Sequence, residues 1–122
     1  MRLIIYIAFI LVVACKKSGS GDNTKPSITL TSPTANQQFG GFVTVSLAGT
    51  VVDDDKLHEV HVYVINKGTN AEVVHIRELP NSAVYTINSS FVTQPNTTYR
   101  IQVVADDAVG NASVAEIEVK AN

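Results

Sequence analysis

The sequence is poor in cysteine, in aromatic residues and in charge. It contains one cysteine and no tryptophan among 122 residues, so no disulfide can form within the chain and packing alone must hold a folded domain together. Nine basic residues face eleven acidic ones, for a formal net charge of -2, and this balance provides no positive field that would attract nucleic acid. Catalytic signatures such as Gly-x-Ser-x-Gly, His-Glu-x-x-His and a glycine-rich phosphate loop are absent. We therefore predict a protein that is not an enzyme and that needs no cofactor, apart from the calcium considered below.

The sequence also lacks an apolar run long enough for a transmembrane helix. The longest run, residues 3–14, would span about 18 Å as a helix, against a hydrocarbon core of roughly 30 Å. Arg2 precedes this run, and Lys16 and Lys17 follow it. A positive start, a short apolar segment and a small final residue are typical of an export signal, so we predict a cleaved signal peptide over residues 1–14. The alternative, an N-terminal strand of a cytosolic protein, would show a periodic polarity that the run lacks.

The single cysteine stands directly after this run, in the sequence Val12-Val13-Ala14-Cys15. These residues resemble a bacterial lipobox. The resemblance implies cleavage before Cys15, lipidation of its thiol and attachment through two or three acyl chains, because one chain anchors a protein only marginally. Without lipidation, a lone cysteine in an exported protein would be a free thiol or an intermolecular disulfide.

The residues after Cys15 predict where the protein is held. Lys16, rather than aspartate, at the second mature position implies by the same resemblance an outer-membrane location, with the periplasmic or external face left open. Residues 15–25 are polar and rich in Ser and Gly, which predicts a flexible, lipidated tether. The folded domain should then occupy residues 26–122.

Residues 26–122 show the period-two alternation of β-strands. In the segment 42–52, for example, Val43, Val45, Leu47 and Val51 alternate with small or hydroxylated residues, which predicts one face in the core. Turns rich in Pro, Gly, Asn and Asp separate the strands, and no helical crossover interrupts them. We therefore predict an all-β, immunoglobulin-like antiparallel β-sandwich of about seven strands. The predicted strands are residues 27–33, 42–52, 59–65, 71–79, 83–91, 98–105 and 112–120.

The third and fourth predicted strands form a hairpin whose register can be predicted. Centring its turn on Gly68 sets Glu59 opposite Arg77 and His61 opposite His75 on the outer face, so that an opposite-charge pair and an imidazole pair arise together. The two imidazoles would lie about 5 Å apart at Cβ, close enough to share a metal ion. A zinc site needs three or four ligands, so a solvent-facing pair without metal is the alternative.

The outer face of this hairpin is also a candidate docking surface. Tyr63 is its best exposed aromatic residue, and His58, three residues before His61 on an extended strand, should point to the opposite face. The alternative is an ordinary exposed sheet face, or one covered by a loop. The residues predicted to form the docking face are His61, Tyr63, Ile65, Val73 and His75.

Aspartates follow two of the predicted strands. Asp53, Asp54 and Asp55 come after the second strand, and Asp106 and Asp107 come after the sixth. In an immunoglobulin-like topology these two loops lie at the same end, so five carboxylates could converge on Ca²⁺, which takes six to eight oxygen ligands. The alternative is that the aspartates cap turns, with Gly110 and Asn111 in left-handed positions.

The folded part as a whole resembles the bacterial immunoglobulin-like domains carried by Bacteroidota-type surface lipoproteins. The resemblance rests on PSITLTSPTANQQF, GTVVDDDKLHEVHVYV and YRIQVVADDAVGNAS. It implies that Tyr99 serves as a tyrosine corner, although the paired core cysteines and the tryptophan of antibody domains are absent. It also implies architecture better than activity. The leading hypothesis is a non-catalytic, lipid-anchored envelope module that binds a protein or glycan partner, and the alternative is a structural accessory subunit of an outer-membrane assembly.

Overall fold

A computed structural model of the chain describes residues 23–122. The predicted signal peptide, Cys15 and the tether up to residue 22 lie outside the described residues. Residues 23–122 contain no helix long and apolar enough to cross a membrane. They form eight strands: β1 Ser27–Ser32, β2 Gln38–Phe39, β3 Thr44–Val52, β4 Leu57–Asn66, β5 Ala71–Glu78, β6 Val84–Val92, β7 Thr97–Asp107 and β8 Ala112–Ala121.

The strands make two sheets that enclose one core. A three-stranded sheet has the order β1-β3-β6, and a five-stranded sheet has the order β2-β8-β7-β4-β5. Neighbouring strands are antiparallel, except that β2 pairs with β8 in parallel. The all-β, immunoglobulin-like sandwich predicted from the sequence is thus confirmed. It has eight strands rather than seven, because β2 is a two-residue pairing that alternation cannot reveal.

The core is built from alternate residues of both sheets. Leu47 and Ile87 from one sheet and Val62 and Ile101 from the other are almost fully buried in one apolar cluster. Val43, by contrast, is 38% exposed, so its predicted place in the core is wrong. The strand begins only at Thr44, and the residue before Val43 has a φ of 60°, which breaks the alternation.

Two contacts fix how the core is closed. At Gly49 of β3, a Cβ atom would lie 3.0 Å from the Cα of Leu30 in β1 and closer still to the carbonyl oxygen of Thr29. Glycine is therefore what allows β1 to approach β3. The buried hydroxyl of Tyr99 accepts a hydrogen bond from the backbone N–H of Gln94 at 2.8 Å. This bond ties β7 to the preceding loop in the manner of a tyrosine corner.

The hairpin of β4 and β5 pairs in a register two residues away from the predicted one. Tyr63, not His61, lies opposite His75, so the prediction of a turn centred on Gly68 is wrong. Asn70 adopts a left-handed φ of 64° and its N–H bonds to the carbonyl of Asn66 at 2.7 Å, which makes a longer turn. The register also shifts by one residue within β5. Because side chains alternate with a period of two, the two-residue slide keeps every predicted outer residue on the outer face.

Candidate functional site

The charged residues of the strands are confined to one sheet. Strands β1, β3 and β6 contain no Asp, Glu, Lys or Arg, whereas four strands of the five-stranded sheet contain ten. The outer face of that sheet therefore differs chemically from the rest of the described surface. The charged residues are Glu59, Glu72, Arg77, Glu78, Arg100, Asp106, Asp107, Glu116, Glu118 and Lys120.

Three rings stack together on this outer face. The ring centroids of Tyr63 and His75 lie 4.4 Å apart, those of His61 and His75 lie 5.2 Å apart, and those of His61 and Tyr63 lie 5.6 Å apart. The interplanar angles are 4° to 29°, so the rings are close to parallel. His61 Nδ1 is 2.9 Å from His75 Nε2 and 3.3 Å from the hydroxyl oxygen of Tyr63. We call His61, Tyr63 and His75 the imidazole–tyrosine face.

Carboxylates hold both ends of this stack. Glu59 Oε2 lies 3.0 Å from His61 Nε2 and also pairs with Arg77 Nε. At the other end, Glu72 Oε1 lies 3.4 Å from His75 Nδ1. Hydrogen bonding to the Arg77 guanidinium lowers the pKa of the Glu59 carboxyl below its ordinary value. The rings are thus fixed by a continuous chain of polar contacts rather than left as free side chains.

Most of the predicted docking residues are brought together in this way. His61, Tyr63 and His75 are in mutual contact, while Ile65 lies next along β4, half-buried and opposite Glu72. Val73 is 43% exposed at the irregular position of β5. The period-two alternation of β4 was enough to predict this shared face, although the predicted pairing of His61 with His75 was wrong.

A second cluster lies beside this stack, at a bulge in β4. Leu57 pairs with Asp107 and Glu59 pairs with Asp106, which leaves His58 as an extra residue between them. Both Leu57 and Val60 are consequently buried although they are three residues apart. The prediction that His58 points away from the outer face is therefore wrong, because a β-bulge turns the residue at its extra position.

The bulge gathers three groups that can bind a metal ion. His58 Nδ1 lies 3.6 Å from Asp106 Oδ1, and His58, Glu59 and Asp106 each offer a ligand atom within 4.8 Å of the other two. Asp106 Oδ1 is shielded from solvent and has no hydrogen-bond partner within residues 23–122. We call these three residues the bulge cluster. It is the one group of three such ligands in the part of the chain that the structure describes.

The aspartates predicted to bind calcium make turn contacts instead of one shared group. Asp107 is buried, and its Oδ1 accepts the N–H groups of Val109 at 3.0 Å and Asn111 at 2.9 Å. Its Oδ2 accepts the Asn111 side-chain amide at 2.8 Å. Gly110 takes the left-handed conformation expected of this turn, with a φ of 98°, but Asn111 does not. These contacts match the turn-capping alternative.

The other loop behaves similarly. Asp53 is buried and its Oδ2 accepts the N–H of Asp55 at 3.1 Å, while Asp54 and Asp55 are exposed. Asp53 Oδ1 is buried without a hydrogen-bond partner among the described residues. Asp106 joins the bulge cluster rather than this loop. The structure therefore does not gather the five carboxylates, and calcium binding by them stays a prediction.

Comparison with known proteins agrees with this fold. Residues 26–103 match the model of the bacterial Ig domain family. The chain belongs to the bacterial Ig domain family. Domains of this family are typically non-catalytic and are typically extracellular or surface modules.

Other comparisons add little to the description of this bacterial Ig domain. None of the curated proteins matches the chain significantly. Among solved structures, the chain is similar to the sulfur carrier protein SoxY from Chlorobium limicola f thiosulfatophilum, with 18% identity and a TM-score of 0.46. That likeness covers 93% of this chain and 96% of the other, and at this TM-score it carries no argument about function.

Proposed function

We propose that this bacterial Ig domain is a non-catalytic binding module of the cell envelope, attached through a lipid on Cys15, and that it binds a protein partner through the imidazole–tyrosine face. Membership of a family of typically non-catalytic surface modules supports the general role. The lipobox resemblance of residues 12–15 supports the anchor, because multiple acyl chains hold a protein stably at a membrane.

The observation that carries the proposal is the stack of three rings within a charged rim. Tyrosine and arginine are enriched in protein interfaces and dominate their energetic hot spots. Here Tyr63 is half-buried and its ring stacks on that of His75 at 4.4 Å, and Glu59, Glu72 and Arg77 lie around the three rings. The polar chain holds the rings in one arrangement, so little side-chain entropy remains to be lost on binding.

The same stacking favours a protein over a glycan. A sugar ring packs on the open face of an aromatic side chain, as a base does on a stacking platform. In this structure the Tyr63 ring is stacked with both imidazoles, at 4.4 Å and 5.6 Å between centroids. The Tyr63 ring is therefore partly occupied by its neighbours and offers a sugar less open surface, so the ring edges and polar atoms are what a protein partner would contact.

The test begins with affinity purification of the lipidated chain from mildly solubilised membranes, followed by mass spectrometry. The enriched protein is then purified, and its dissociation constant is measured for the unchanged chain, for Tyr63→Ala and for Thr50→Ala. Thr50 is the matched control because it is exposed on the outer face of the other sheet. We expect Tyr63→Ala to weaken binding by roughly 30-fold, as for a hot-spot residue worth about 2 kcal/mol, and Thr50→Ala to leave it unchanged.

Two results would contradict the proposal. Binding to a glycan array that Tyr63→Ala abolishes, with no protein enriched, would show that the partner class is wrong. Stoichiometric co-purification with an envelope assembly that neither substitution affects would favour a structural subunit. The anchor is tested separately: Cys15→Ser should move the chain from the membrane fraction to the soluble fraction.

A second candidate function, binding of a divalent transition metal, rests on the bulge cluster. Ligands of a tetrahedral Zn²⁺ site lie about 2.0–2.2 Å from the metal and therefore roughly 3.4 Å from one another. The 3.6 Å between His58 Nδ1 and Asp106 Oδ1 is close to this spacing, and Asp106 Oδ1 has no competing hydrogen bond from the described residues. Glu59 would supply a third ligand and leave one position for water.

Zinc titration followed by NMR tests this candidate. We expect the resonances of His58 to shift first, and Asp106→Asn to weaken zinc binding by about tenfold or more, since charged oxygen ligands bind hard and borderline metals best. His75→Ala is the matched control, and equal weakening by this variant would place the metal on the imidazole pair instead. A parallel titration with Ca²⁺ that moves the amides of Asp53, Asp54, Asp55 and Asp107 would confirm the calcium prediction.

A further inference from the structure

The two sheets end in four edge strands that differ in how they resist pairing with another strand. Exposed edges are usually protected by charge, by a bulge, by proline or by short length. Strand β5 carries three charged residues and an irregular register, and β2 has only two residues. Strand β1 has six residues, a register shift and a proline, Pro33, directly after it.

Strand β6 has none of these protections. Its nine residues, VYTINSSFV, include no charged residue and no proline. Its register with β3 is unbroken from Val84 to Val92. Within residues 23–122 it pairs with β3 alone, so its second edge faces no other strand. A regular, uncharged edge of this length is a template for strand addition.

The sequence of β6 is also close to self-complementary in an antiparallel sense. A two-fold axis through Asn88 would place Val84 opposite Val92 of a second copy and Thr86 opposite Ser90 of that copy, with Asn88 opposite itself. All five of these residues are exposed on the outer face. On the inner face, Tyr85 would lie opposite Phe91 of the second copy. Ile87 would lie opposite Ser89, the one mixed pair. In the other pairs apolar residues meet apolar residues and hydroxyls meet hydroxyls, and no like charges are juxtaposed.

The neighbouring surface would not oppose this pairing. The outer faces of β1 and β3 are uncharged along their whole length, so the enlarged sheet would bring no charges together on that side. A two-fold axis makes the contact isologous, and it closes after two copies instead of forming a filament.

We propose that β6 pairs with β6 of a second copy of this chain, in antiparallel register centred on Asn88, so that the two three-stranded sheets become one six-stranded sheet. The proposal does not depend on the partner of the imidazole–tyrosine face, which lies on the other sheet. A contact through one pair of strands is small, so the dimer should be weak in dilute solution.

Cysteine cross-linking of the full chain in its membrane tests the register. The sequence has one cysteine, Cys15, so the unchanged chain gives the background cross-linking that is subtracted from each added cysteine. Residues opposite each other in antiparallel strands have Cβ atoms about 4.5–5.5 Å apart, near the distance that a disulfide spans. Asn88→Cys should therefore give a disulfide-linked dimer on mild oxidation, in about tenfold higher yield than Thr50→Cys on the central strand β3.

A second pair of variants separates dimer formation from folding. Asn88→Lys would place two like charges at the axis and should abolish the dimer, whereas Thr50→Lys should not. The yield of chemically cross-linked dimer measures this difference. Both positions are exposed, so thermal unfolding should change little in either variant. The proposal is wrong if Asn88→Cys cross-links no better than Thr50→Cys, or if Val73→Cys on β5 cross-links better than both.

Discussion

Replacing Gly49 by alanine should destabilise the domain, because β1 and β3 approach each other too closely there for a side chain. The added methyl group would lie 3.0 Å from the Cα of Leu30 and closer still to the carbonyl oxygen of Thr29. Both neighbours are backbone atoms, so the strand itself must move. Forcing an extra methyl into a packed core costs about 1–3 kcal/mol, and the reduced freedom of the unfolded chain returns about 0.4–1 kcal/mol. We expect a net loss of about 1–2 kcal/mol.

The assay is urea or thermal unfolding, with Gly68→Ala as the matched control. Gly68 lies in the exposed β4–β5 turn, where the nearest atom to an added Cβ is the side-chain oxygen of Asn66 at 3.4 Å. That substitution should change the unfolding free energy by less than about 0.5 kcal/mol. For a domain of this size the loss at Gly49 corresponds to a fall in Tm of roughly 5–15 °C. Equal Tm values for the two variants would refute the close pairing of β1 with β3.

Three further predictions concern single side chains. Tyr99→Phe should cost about 1 kcal/mol in urea unfolding, because a backbone N–H loses its acceptor; no loss would mean that the tyrosine corner contributes packing alone. The Glu59 carboxyl should titrate below its ordinary pKa in NMR, and Arg77→Gln should raise that pKa. The stability from this pair is then fully present above the unfolded-state pKa of Glu59 and is lost as pH falls through the lowered folded-state pKa; an unchanged titration in Arg77→Gln would contradict the assigned cause. Asp107→Ala should cost about 1–3 kcal/mol even with a chelator present, while the exposed Asp54→Ala should cost less than about 0.5 kcal/mol; a loss that appears only without chelator would identify calcium binding.

The sequence was sufficient to predict which residues share a face. A period-two pattern identifies inner and outer positions directly, and so the seven main strands, the buried Tyr99 and the outer placement of His61, Tyr63 and His75 could be predicted. The two-residue error in the hairpin register left these faces intact because it was an even number of residues. The conformation of Asn70 that lengthens the turn depends on backbone geometry that no alternation encodes.

Irregular positions could not be predicted for a related reason. A β-bulge adds one residue without changing composition, so His58 was assigned to the wrong face and the bulge cluster was missed. The signal available in the sequence was the spacing of two apolar residues, Leu57 and Val60, three residues apart, since a regular strand would place them on opposite faces. The two-residue strand β2 was similarly invisible, because its pairing with β8 involves too few residues to form a pattern.

The central claim is that the imidazole–tyrosine face is the binding surface of a non-catalytic envelope module. The most direct measurement is the dissociation constant of the purified envelope partner for the unchanged chain and for the Tyr63→Ala and Thr50→Ala variants. On the proposed role of this face, we expect roughly 30-fold weaker binding for Tyr63→Ala and no change for Thr50→Ala. Equal affinity of all three proteins for the partner would contradict the claim.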